Sequence, residues 1–137
     1  MTQDRRSAPS SAFPSAARPG VHPALAAHAA RFGQKIVQTG QRTHTLIGYN
    51  IANVSIIDAP EGLILVDAMA QEDDARRARA DIQARFPDKR IRAVIYTHFH
   101  NDHINGVEGF VSASDVASGE VQVWAHADLM HYVTEVS

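Results

Sequence analysis

Between residues 63 and 97 the hydrophobic pattern changes period twice, and that change constrains the fold more than any other feature. LILVD (63–67) is a continuous apolar run of strand length, as expected of a strand covered on both faces. QEDDARRARADIQARF (71–86) then takes a helical period. Ala75, Ala78, Ile82 and Phe86 share one face, and the remaining positions are mostly charged. Glu72, Asp73 and Asp74 fall in the first turn, where the helix dipole favours negative charge, and Asp73 and Arg77 are spaced for an i,i+4 pair. Pro87 stops the helix, and IRAVIYT (91–97) returns to a buried-strand run.

The flanking segments extend this pattern. Residues 1–21 carry Pro9, Pro14 and Pro19 and almost no large apolar residues, so they read as a flexible arm, with the folded portion spanning 22–137. HPALAAHAARF reads as a short helix with Pro23 in its first turn and Gly33 ending it. KIVQT (35–39) and THTLIGY (43–49) are strands joined by a Gly40-Gln41-Arg42 hairpin connection. IANVSIID (51–58) leads through Ala59-Pro60-Glu61-Gly62 into the run at 63. Beyond residue 106 come a polar stretch, SASDVASGE (112–120), a short strand, VQVWA (121–125), and a helix, HADLMHYVTEV. Strands first, then helix, strand, loop and strand make an α/β (α+β) chain: a sheet with at least one helical layer.

Where the strand at 91–97 ends, THFHNDHING (97–106) places His98, His100, Asp102 and His103 within six positions. No packing requirement asks for this crowding. Neutral imidazole is the commonest protein ligand for zinc-like ions, and carboxylates add a harder oxygen donor. His98 and His100 are two apart on a chain leaving a strand, so both can point to one side. Asp102 and His103 are adjacent and tend to diverge. One turn can therefore offer two ligands to one ion and two to a neighbour, and two metals about 3.5–4 Å apart can activate water between them.

Other polar residues have plainer readings. His126 opens the last helix and His131 lies five residues on, not at the spacing that aligns two ligands; Asp115, Glu120 and Glu135 are further carboxylates in reach by sequence alone. His22, His28 and His44 read as surface residues, and Asn50 and Asn53 as turn or hydrogen-bonding residues beside a strand.

Composition excludes several function classes. The chain has no cysteine, which removes disulfides, thiolate sites and a cysteine nucleophile. A formal net charge of -2 gives no reason to expect nucleic acid or an anionic membrane as partner. No stretch approaches the roughly 20 apolar residues of a membrane span. Arg5 and Arg6 have no apolar region behind them, so no signal peptide is recognisable. The chain as it stands is expected in the cytoplasm, with the periplasm or secretion as the alternative for an incomplete N-terminus.

His98-x-His100-x-Asp102-His103 resembles the signature of the metallo-β-lactamase-fold hydrolases, whose αββα sandwich carries a dinuclear site at strand ends. The preceding hairpins, LILVDA, the amphipathic helix and the strand entering the motif are similar too. GVEGFVSASDVASGEVQVWA (106–125), VHPALAAHAARF, GYNIANVSII and VIYTH resemble the alkyl sulfatase branch of that superfamily. The resemblance spans about residues 21–136. It implies that this is the N-terminal part of such a sandwich, with two zinc ions in a complete site. His98 and His100 would hold one ion; Asp102 and His103 would hold the second. Asp102 would also orient or deprotonate the attacking water, making it the catalytic residue. Asp67 would support the motif loop from behind the ligands; read from the residues alone, it is a polar residue ending a strand.

Asn105 stands where the family commonly has glycine, which puts the loop beside the metal in question. The chain also ends at Ser137, before the remaining ligands and a dimerisation region that the family would place further on. The expectation is a zinc-dependent hydrolase of alkyl sulfate esters, homodimeric in its full-length relatives. This chain would be a fragment with two donors per ion, weak zinc binding, little activity and an edge prone to aggregation. The alternatives are another hydrolase of the same fold (lactamase, lactonase or thioesterase) and a non-catalytic metal-binding fragment.

Overall fold

The computed structural model describes residues 20–136. The expected arm at 1–21 lies, except for its last two residues, outside the described residues. Pro23–Ala29 form helix α1, with His22 as N-cap accepting the Ala24 N–H through Nδ1 at 3.2 Å, and one 3-10 turn carries the chain to Phe32. Four strands follow: β1 (Lys35–Gln38), β2 (Thr43–Ile47), β3 (Val54–Ala59) and β4 (Gly62–Val66). They pair in sequence order as an antiparallel meander. Helix α2 (Glu72–Arg85) then crosses to β5 (Ile91–Ile95), parallel to β4. Three short helices, α3 (Asn101–Ile104), α4 (Val107–Phe110) and α5 (Ala113–Ala117), cross to β6 (Gln122–Trp124), parallel to β5. Helix α6 (Leu129–Val136) follows. Among the described residues no helix is long and apolar enough to cross a membrane.

The core lies on one face of the six-stranded sheet. Leu46, Val54, Ile56, Leu63, Leu65 and Val94 point to it and are fully or almost fully buried. Helix α2 covers them with Ala75, Ala78 and Ile82, the face that its period predicts. Small residues on two turns let the helix sit close to the sheet. Phe86, expected on the same face, caps the helix C-terminus and is half-buried.

Several expectations change at this level. The run at 63–67 is not covered on both faces, because Ile64 and Val66 on its second face are only half-buried. In β5, likewise, only Val94 is buried, and Ile95 is partly exposed. A continuous apolar run says that both faces are apolar, not that both are covered. The strand expected from Ile51 begins at Val54, because residues 48–53 form a loop. Asp73 does not pair with Arg77: Arg76 takes Glu72 and Asp73, and Arg77 takes the buried Asp74. His44 is not a surface residue. It alternates with Leu46 on the core face of β2, 5% exposed, with its ring 5.1 Å from Phe86 edge to face. The polar stretch at 112–120 contains α5, whose N-cap Ser112 accepts the Asp115 N–H at 3.1 Å. One turn is too short to show a helical period in sequence.

Candidate metal centre

Strands β4 and β5 run parallel, so Asp67 and Thr97 emerge at the same end of the sheet, and the chain between them returns through α2. Asp67 is nearly buried and has φ 69°, a left-handed conformation that Asp tolerates better than most side chains. Two residues on, Met69 has φ 67°, which is costly for a bulky side chain. This double twist turns the carboxylate of Asp67 back toward the motif. It also aims main-chain groups at the motif loop. The Ala68 N–H donates to the His103 carbonyl at 2.7 Å, and the Gly106 N–H to the Met69 carbonyl at 2.9 Å.

Asp67 accepts from three groups. The Thr97 N–H donates to Oδ1 at 2.9 Å, the Thr97 hydroxyl reaches Oδ1 and Oδ2 at 2.8 and 3.0 Å, and His103 Nδ1 lies 2.8 Å from Oδ2. With its proton committed to Asp67, the Thr97 hydroxyl oxygen is left to accept from His98 Nδ1 at 2.9 Å. That network assigns the same tautomer to His98 and His103: Nδ1 carries the proton and Nε2 keeps its lone pair. A single carboxylate thus orients one histidine of each expected pair. Thr97, which sequence reading passed over as the end of a strand, is the link to His98.

The exposed side of the motif presents the other atoms. His98 Nε2 lies 3.0 Å from His100 Nδ1, so these two rings do share a side. His103 Nε2 lies 3.4 Å from Asp102 Oδ2. Asp102 and His103 converge rather than diverge, because they sit on a helical turn, where the alternation of an extended chain does not apply. The rings of His98 and His103 are 4.1 Å apart, so the two pairs are neighbours. Phe99 stacks on Tyr132 of α6 at 5.4 Å, which pins the motif from the far side. Burial pushes the phenol of Tyr96, just before the motif, up to about 12.

Glycine sets how close the motif lies to the sheet. A Cβ on Gly106 would strike the Ala68 carbonyl oxygen and come within 3.0 Å of that of Gln71. One on Gly109 would lie 2.6 Å from Ala75 Cβ. Asn105, by contrast, is exposed at the end of α3 with φ -68°, an ordinary helical value. The Asn-Gly departure therefore leaves this loop intact.

The remaining candidates lie elsewhere. Glu120 is near Arg90, and its carbonyl accepts from Arg92. These residues start β5 and β6, while the motif follows the end of β5. Asp115 lines the same far end. His126 precedes α6, which begins only at Leu129, and its Nδ1 accepts from the Asp128 N–H; His131 pairs with Glu135 on α6. Asn50 bonds Asp74 and accepts the Ala70 N–H at 3.4 Å, the hydrogen-bonding role expected of it.

The donor set fits a divalent metal of the zinc type: three imidazoles and a carboxylate, with lone pairs on His98 and His103 held outward. Two nitrogens on one tetrahedral zinc stand roughly 3.3 Å apart at Zn–N distances of about 2.0–2.1 Å, close to the His98–His100 separation. The donors come in pairs; among the described residues no three His, Asp or Glu side chains form a group able to hold a metal ion.

Residues 47–136 match the family profile described as the metallo-beta-lactamase superfamily. Over 78 residues the chain is 49% identical to a linear primary-alkylsulfatase from Pseudomonas sp., covering 57% of this chain and 15% of that protein. Over 86 residues it is 40% identical to the alkyl/aryl-sulfatase BDS1 of Saccharomyces cerevisiae, covering 63% and 13%. The solved structure of the stereoselective inverting sec-alkylsulfatase Pisa1 from Pseudomonas sp. superposes with a TM-score of 0.70 at 30% identity, covering 83% of this chain and 18% of that one. A metallo-beta-lactamase from Hirschia baltica superposes with a TM-score of 0.58 at 21% identity over 74% of this chain and 47% of its own, which shows a shared fold. The chain thus spans about one seventh of the length of these curated relatives.

Proposed function

The chain belongs to the metallo-beta-lactamase superfamily, and on that premise we propose that it supplies half of a dinuclear zinc site of a hydrolase acting on alkyl sulfate esters. The observation that carries the reading is the Asp67 hub, which holds His98 and His103 with their Nε2 lone pairs outward. The named alkylsulfatases that the chain resembles supply the substrate class. In this proposal His98 and His100 hold one ion, and Asp102 and His103 hold the other. Zinc, when bound, supplies Lewis acidity at this end of the sheet.

The chain's own residues do the rest. Asp67 and Thr97 fix the two histidine rings, so no rotamer search accompanies metal entry. Asp102 is half-exposed and stands beside His103, where it can orient a water and take its proton. Each pair provides two donors where zinc takes four, so zinc binding by residues 1–137 is expected to be weak.

The test measures sulfate release from octyl sulfate by the zinc-supplemented protein, beside turnover of nitrocefin and a lactone. A low rate of sulfate release, which Asp102→Ala abolishes with an unchanged circular dichroism spectrum, is expected. Preference for nitrocefin or the lactone would replace the substrate class. No turnover of any of the three would leave a metal-binding, non-catalytic chain.

A further inference from the structure

At the end of the sheet opposite the histidine motif, a cleft of about 290 Å³ opens between α2, the start of β5 and the segment joining α5 to β6. Arg79, Lys89, Arg90 and Arg92 line it, with Asp115 and Glu120 as the acidic lining residues. Lys89 is neutralised by Asp58 on β3. Of the three arginines, Arg90 has one long ion pair, with Glu120, and Arg79 and Arg92 have no ion pair among the described residues. The Glu120 carboxylate lies 4.0 Å from Arg90, beyond hydrogen-bond reach, and Arg92 donates to the Glu120 carbonyl at 3.4 Å. Elsewhere on α2 the arrangement differs, since Arg76 and Arg77 are each closely paired with acidic residues of the first turn.

One of the three is also held in place by backbone design. Gly62 opens β4 with φ 145°, and a Cβ there would lie 2.6 Å from Arg92 Cγ and 2.6 Å from the Arg90 carbonyl oxygen. The glycine makes the room through which the Arg92 stem crosses the strand. The floor of the cleft is formed by the buried, apolar Leu63 and Phe110, and the three arginines stand exposed around it.

We propose that this cleft is a binding site for a small tetrahedral dianion, sulfate or phosphate, clamped by Arg79, Arg90 and Arg92. Guanidinium groups match such oxyanions with paired N–H donors, and three of them lining one cleft can share the charge of a single dianion. The site does not depend on the proposed hydrolysis, because it lies at the other end of the sheet from the motif.

Calorimetric titration with sodium sulfate and, separately, sodium phosphate tests this, at constant ionic strength in chloride buffer with EDTA. One saturable site is expected; the ratio of the two affinities shows which anion the cleft prefers. Arg90→Gln and Arg92→Gln, which keep most of each stem, should each weaken binding roughly tenfold or more. Arg76→Gln, on the same helix but outside the cleft, should leave it unchanged, as should His98→Ala. Thermal melts of the variants separate loss of binding from loss of fold. Absence of saturation, equal loss in Arg76→Gln, or loss in His98→Ala would each overturn the assignment.

Discussion

Nδ1 of His103 lies 2.8 Å from Oδ2 of Asp67, across 36 residues of sequence, and the same carboxylate holds Thr97. Asp67→Asn tests that relationship sharply. Asparagine also tolerates φ 69°, so the fold should survive. Its amide, however, would donate toward His103 and force the opposite tautomer, moving the proton onto Nε2. Zinc affinity of the motif should fall about 10–100-fold. Competition against a chromogenic chelator measures it, and an unchanged affinity would remove Asp67 from the metal-site proposal.

Close approach at Gly106 and Gly109 should appear as stability. Gly106→Ala and Gly109→Ala each press a methyl group into backbone or into Ala75, and each should cost about 1–3 kcal/mol in urea unfolding. Asn105→Gly, at an exposed helical position, should cost less than about 1 kcal/mol. A reversed order would mean that the motif loop is not held by its contact with residues 68–75.

Tyr49 links the loop at 48–53 to α2 through a 2.6 Å hydrogen bond from its hydroxyl to Asp81. Burial first, then that hydrogen bond and the nearby carboxylate charge, push its phenol well above the ordinary tyrosine range. A raised folded pKa means stability that is complete below the unfolded pKa of about 10 and lost as pH rises toward the folded value. Denaturant midpoints measured from pH 8 to 12 should fall above pH 10, and Tyr49→Phe should flatten that fall. An equal slope in both proteins would contradict the assignment.

His44 Nδ1 is buried without a hydrogen-bond partner among the described residues. Exchanging the ring for an apolar side chain of similar size removes that unmet polar atom without opening a large cavity. His44→Leu should therefore stabilise the protein by about 1 kcal/mol at pH 7, read from urea unfolding. A loss of stability would show that its packing on Phe86 outweighs the unmet nitrogen.

Local pattern carried much of this protein into view. The period change at 71–86 located α2 within a residue at each end, because burial of every third or fourth position is a property of the segment itself. The candidate donor side chains stood out for a similar reason: four of them at fixed spacing need no partner from elsewhere to be noticed. The helices α3, α4 and α5 escaped notice, since each is one turn long and leaves no period.

By itself, then, the sequence determined most of the strands, the one long helix and the clustering of four candidate donor side chains. Tertiary structure decided how those side chains are oriented and paired. Which nitrogen of His98 and His103 faces outward depends on Asp67 and Thr97, which meet only because β4 and β5 lie parallel and side by side. The burial of His44 and the gathering of Arg79, Arg90 and Arg92 around the far cleft were decided the same way. Hydrophobic period is set by neighbours along the chain, whereas a tautomer or an unmet charge is set by groups that folding brings from tens of residues away.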